Sequence, residues 1–153
     1  MIKRLLVMCS FLAVSTASLM AQTKLAPVDV QDAWVRATVA GQQGTGGFMK
    51  LTAHEDLQLV RIATPVAGVA QIHEMVMRKD NVMEMRAIKG LDLPKGKTIE
   101  LKSGGYHLML EDLKQKLDQN TNVPLKLFFK NSKGQESTLD LMIPVSLMPT
   151  HGH

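Results

Sequence analysis

The chain has 153 residues, with 18 Lys+Arg against 14 Asp+Glu and a single cysteine, Cys9. Loss of a 21-residue leader would leave 132 residues, one domain able to bury its own core, with 16 basic against 14 acidic residues, or +2. That charge is too mild to favour nucleic acid or an anionic membrane as partner, and without Cys9 the mature chain has no disulfide and no thiolate metal site.

The leader begins Met1-Ile2-Lys3-Arg4, runs apolar from Leu5 to Val14 and reaches Met20-Ala21-Gln22 through small residues. Basic, apolar and small regions in that order read as a secretory signal peptide. The apolar run is about ten residues, short of the ~20 that a spanning helix needs. Cleavage is expected after Ala21, or a few residues earlier because Leu19 is bulky, giving a periplasmic protein with no membrane insertion. Cys9 lies too near the start for a lipid anchor.

Beyond the leader, alternating apolar positions recur about every ten residues between Gly, Pro, Asn and Asp, an all-β pattern. Strands are expected at Val28–Val39, Gly47–Ala53, Leu57–Thr64, Val69–Arg78, Asn81–Ile88, Lys97–Lys102, Tyr106–Leu110, Val123–Lys130 and Ser137–Val145. Gly41–Gly47 reads as a loop and Glu111–Leu117 as the one helical turn. Lys79-Asp80-Asn81 tolerates a tight turn and makes 69–88 a hairpin. So many short strands in one domain predict two antiparallel sheets face to face, with Greek-key connections. The divisions are 1–21 signal peptide, 22–147 sandwich and 148–153 tail, with Gln22–Pro27 also outside the sandwich.

Methionine recurs after the leader, at Met49, Met75, Met77, Met83, Met85, Met109, Met142 and Met148. Residues two apart on a strand share a face, so His73, Met75 and Met77 point one way on one arm of the hairpin. Met83 and Met85 share a face on the other arm, as do His107 and Met109 on a later strand. Met is also a flexible core filler, so packing and ligation both stand open for each segment taken alone. Thioether sulfur with imidazole suits copper(I) rather than zinc, calcium or magnesium. Blue-copper electron transfer is excluded because it needs a Cys thiolate. No hydrolase motif is present, and Glu74 faces away from His73 as a solubilising residue rather than a base, so no enzyme is expected.

At these residues the sequence resembles the periplasmic copper chaperone family known as PCuAC. Its pattern is a His, a Met twelve positions on, a His twenty-two further and a Met two beyond, which His73, Met85, His107 and Met109 match in register. The flanks His73-Glu74-Met75-Val76-Met77, Leu93-Pro94-Lys95-Gly96 and Gly104-Gly105-Tyr106-His107-Leu108-Met109-Leu110 also look like the family, and the likeness runs from Asp32-Ala33-Trp34-Val35-Arg36-Ala37-Thr38 to Val145. Glu74 stands where some members carry a further Met, and Ala53-His54 replaces an Asn; His54 reads as a loop residue, and neither change touches the four ligands.

The resemblance implies a cupredoxin-like Greek-key β-sandwich holding one Cu(I) through His73, His107, Met85 and Met109. It further implies delivery to the copper A centre of cytochrome c oxidase or to an intermediary chaperone. A periplasmic copper scavenger with no dedicated acceptor would use the same ligands, and a copper-independent secreted sandwich that binds a protein partner is the other alternative. Read from the residues themselves, Met75, Met77 and Met83 form a soft rim to the site or, for at least one of them, pack in the core. In the tail, His151 and His153 flank Gly152 and form a candidate Cu(II) site.

Overall fold

The structure, a computed structural model, describes residues 24–149. The expected signal peptide and the tail residues His151 and His153 lie outside the described residues. Eleven strands follow in chain order: β1 Lys24–Leu25, β2 Val28–Arg36, β3 Gly44–Ala53, β4 Leu57–Ala63, β5 Ala67–Met77 and β6 Met83–Ile88. Then come β7 Leu91–Leu93, β8 Thr98–Leu101, β9 His107–Leu113, β10 Asn122–Asn131 and β11 Glu136–Ser146.

Hydrogen-bonded neighbours run in the order β6-β5-β9-β3-β2-β11-β10-β4-β7, with β8 on β3 and β1 on β11. The path folds over on itself, so that both halves share one core. Leu59, Leu93, Leu127 and Phe129 from one half and Met49, Leu51, Leu101, Leu108 and Leu110 from the other belong to a single buried cluster. Alternation makes this possible: on β10, Val123, Leu125, Leu127 and Phe129 are all buried while the residues between them are not. The all-β, cupredoxin-like architecture expected from the sequence is borne out.

Several local expectations are corrected. The pairing is not wholly antiparallel, because β11 pairs in parallel with both β1 and β2. The segment Glu111–Leu117 forms no helical turn. Its first residues continue β9 opposite β5, and Leu113 N–H and Lys114 N–H donate to Gln43 and Val66 carbonyls, so those donors are spent across the sheet. Gly44–Gly47 is strand rather than loop and pairs with Glu111, Leu110, Met109 and Leu108. The stretch before β2 is not a free tail either, since β1 pairs with β11 and Ala26 is buried. At the other end, Leu147, Met148 and Pro149 line a cavity of about 530 Å³ with Trp34, Arg36 and Phe48.

The hairpin 69–88 forms with its turn where expected. Arg78 N–H donates to Val82 O, and Asn81 takes the left-handed conformation at φ 60°, which Asn tolerates better than most residues. The register sets Met75 opposite Met85 and Met77 opposite Met83.

Candidate metal centre

One outer face of the sheet collects the predicted ligands. On β9, Leu108 and Leu110 enter the core, so His107 and Met109 face the other way. On β5, Ile72 is the core residue, which puts His73 on the same outer face, directly opposite His107. The two imidazoles meet edge to face with centroids 5.8 Å apart. Although they lie on the outer face, both are buried, His73 at 8% and His107 at 7% exposure.

Hydrogen bonds fix each ring. His107 Nδ1 lies 3.1 Å from the Gly105 carbonyl, an acceptor only, so Nδ1 carries the proton and Nε2 keeps its lone pair. That Nε2 sits 3.1 Å from Met85 Sδ. Met85 is on β6, two strands away, so the two side chains meet above β5 across roughly 9–10 Å of sheet. The same Gly105 carbonyl also accepts from Met75 N–H at 3.3 Å, tying β5 to the turn that aims His107. Gly104 precedes it at φ 82°, a conformation that only glycine adopts freely.

His73 repeats the arrangement. Its Nε2 is 3.1 Å from Gln71 Oε1, which leaves Nδ1 as the lone-pair nitrogen. Nδ1 is buried with no hydrogen-bond partner. A buried nitrogen without a partner costs roughly 1–3 kcal/mol, so the site carries an acceptor that a ligand would satisfy. Burial first, and then the neighbouring His107, push the His73 imidazole below its ordinary pKa, with Glu111 pulling the other way. The neutral, ligating form is the favoured one.

Met109 stands opposite Gln71 and Gly46 on the same face. Its methyl leans toward β3, where a Cβ on Gly44 would meet Met109 Cε at 3.2 Å. Thus His73, His107 and Met85 converge, and Met109 lies one rung from His107 with its thioether over the glycine track. Three rotatable bonds let that side chain swing back. Met75 is half-buried, while Met77 and Met83 are exposed at the hairpin end.

Among the described residues, no group of three or more His, Cys, Asp or Glu could hold a metal ion. The donor that the structure places against these imidazoles is the Met85 thioether, and imidazole with methionine forms a soft donor set. Glu74, expected to be an exposed solubilising residue, is half-buried and bonded to Arg86 at 2.7 Å. His54 is a loop residue as expected, paired with Asp29 at 2.9 Å. Gln71 and the Gly105 carbonyl, which orient the rings, were not singled out from the sequence. The i, i+2 relation that links His73 to Met75 would also have pointed back to Gln71.

Residues 28–145 match the family described as "Putative lipoprotein LpqE-like". The chain belongs to the LpqE-like family. A curated relative, "Putative lipoprotein Lxx21020" of Leifsonia xyli subsp. xyli, is 30% identical over 118 residues, covering 77% of this chain and 69% of that protein. Among solved structures, the apo PCuAC domain from PmoF1 is similar with a TM-score of 0.61 and 22% identity, covering 80% of this chain and 98% of that domain. The solution structure of CuI-DR1885 from Deinococcus radiodurans has a TM-score of 0.56 and 25% identity, covering 82% of this chain and 81% of that one. The PCuAC resemblance read from His73, Met85, His107 and Met109 is thereby borne out at the level of family and fold.

Proposed function

We propose that this LpqE-like protein is an extracytoplasmic copper(I) chaperone that holds one ion through His73, His107, Met85 and Met109. The observation that carries the reading is the pair of lone-pair nitrogens, the partnerless buried Nδ1 of His73 and the His107 Nε2 beside Met85 Sδ. A copper(I)-loaded relative, CuI-DR1885, supports the choice of ion, and the lipoprotein names of the family and the curated relative support export. All four donors are neutral, so the ion keeps its charge and transfers readily to an acceptor offering thiolates, which bind copper(I) more strongly. The proposed acceptor is the copper A centre of cytochrome c oxidase or an intermediary chaperone. No covalent bond of a substrate changes in such a transfer, and the protein acts as a carrier rather than an enzyme.

Anaerobic titration with copper(I) against a coloured chelator, followed by mixing with an apo oxidase copper domain, tests this. One tightly held equivalent that moves to the acceptor is expected. Retention without transfer would make the protein a scavenger, and no binding would leave a copper-independent module.

A further inference from the structure

The β5–β6 hairpin carries more sulfur than the His73–His107 centre uses. The register places Met77 opposite Met83 and Met75 opposite Met85, and directly opposite residues share a face with Cβ atoms roughly 4.5–5.5 Å apart. Met85 is engaged with His107. Met75, on the same rung as Met85, and Met77 and Met83, one rung farther out, remain as a triangle of thioethers. Packing does not explain the outer pair, because Met77 is 62% and Met83 45% exposed, whereas the core filler Met49 is 1% exposed; Met75, half-buried, links that pair to Met85. Exposed Met142 differs, since it stands opposite Pro124 and has no methionine partner across the strands. The face is also free of the hairpin's charge. The ion pairs Glu74–Arg86 and Arg78–Glu84 use residues of opposite parity, which project from the other side.

We propose that Met75, Met77 and Met83 form a second, solvent-facing position for a soft monovalent cation, copper(I) or silver(I). Neutral thioethers select such ions over harder ones, and each side chain's three rotatable bonds let the sulfurs converge. From there an ion has one rung to travel to Met85, so the triangle serves as the entry and exit step of the deeper centre. That role rests on the reading of His73, Met85, His107 and Met109 as the storage site, but the existence of the triangle does not.

Silver nitrate titrated into protein carrying ¹³C-methyl methionine, without chloride, reads each thioether separately. The first equivalent should shift the Met85 and Met109 methyls, and the second should shift Met75, Met77 and Met83 while Met142 stays still. The Met77→Leu, Met83→Leu double variant should weaken the second equivalent at least tenfold and leave the first within twofold. In a His107→Ala, Met109→Leu protein, Met77 and Met83 should respond from the first equivalent, which supports the triangle whatever becomes of the storage site. Met77 and Met83 methyls unmoved at three equivalents, or a second equivalent indifferent to the double variant, overturn the proposal.

Discussion

Leucine at position 85 and leucine at position 49 should have opposite consequences. Met85 is 47% exposed with its sulfur against His107, whereas Met49 is 1% exposed within the core. Met→Leu nearly conserves volume, so Met49→Leu should cost up to ~1.5 kcal/mol, or about 5 °C in Tm for a domain of this size. Copper(I) affinity should stay within about threefold, since Met49 points away from the imidazoles. At the half-exposed position, Met85→Leu should change stability by no more than ~0.5 kcal/mol. It removes one of the four proposed donors, however, and we predict at least a 100-fold loss of copper(I) affinity, about 2.7 kcal/mol. Calorimetry of the apo proteins gives the first pair of values and competition with a coloured copper(I) chelator the second. If both variants lose stability and affinity in parallel, or if Met85→Leu binds like wild type, the assignment of Met85 is wrong.

Acid should destabilise the apo protein through His73. Its folded pKa lies below the unfolded value, so below about pH 6.5 the unfolded chain takes up the proton more readily, and stability is lost as pH falls toward the folded pKa. Urea midpoints at pH 7 and pH 5 should differ less in His73→Gln than in wild type; an equal difference would exclude His73 as the source. Protons also compete with the metal for imidazole, so copper(I) retention should fall with acid, and a curve flat from pH 7 to pH 4 would remove both histidines from the ligand set. Gly46→Ala would place a methyl 2.8 Å from Phe48 Cζ, a ring that packs on Trp34 at 4.7 Å. It should cost about 1–3 kcal/mol and alter Trp34 fluorescence, and an unchanged Tm would mean the ring shifts freely.

What could be read before the structure was whatever depends on short-range periodicity. The hairpin, its turn and the shared face of His73, Met75 and Met77 follow from alternation, and β10 follows from Val123, Leu125, Leu127 and Phe129. The misses have physical causes. β1 and β7 span two and three residues, too few to show a period. Glu111–Leu113 looked helical because local composition is silent on where its N–H groups go, and they go to β5 and to the Gln43 carbonyl. Gly44–Gly47 carries a single side chain, that of Thr45, and so shows no alternation, yet its glycines leave the room that Met109 Cε and the Phe48 ring occupy. At the site, residue spacing named candidate ligands, of which His73, His107 and Met85 come together, but not the ring tautomers, because Gly105 and Gln71 set those through geometry.

β6 ends the strand order and pairs only with β5, and five of its six residues are exposed, the sixth being half-buried. An element with so little burial opens at small free-energy cost. Of the proposed ligands, then, His73, His107 and Met109 sit on strands with core residues, while Met85 rides on an exposed edge strand that should open on its own. Tightness and release are thereby assigned to different parts of the chain. A docking partner need peel back only one short strand to leave the ion three-coordinate and open on one side, with the core untouched. Amide exchange in β6 should accordingly run far ahead of β9 in the apo protein and slow when copper(I) staples the strand to His107; equal rates in the two strands would contradict this division.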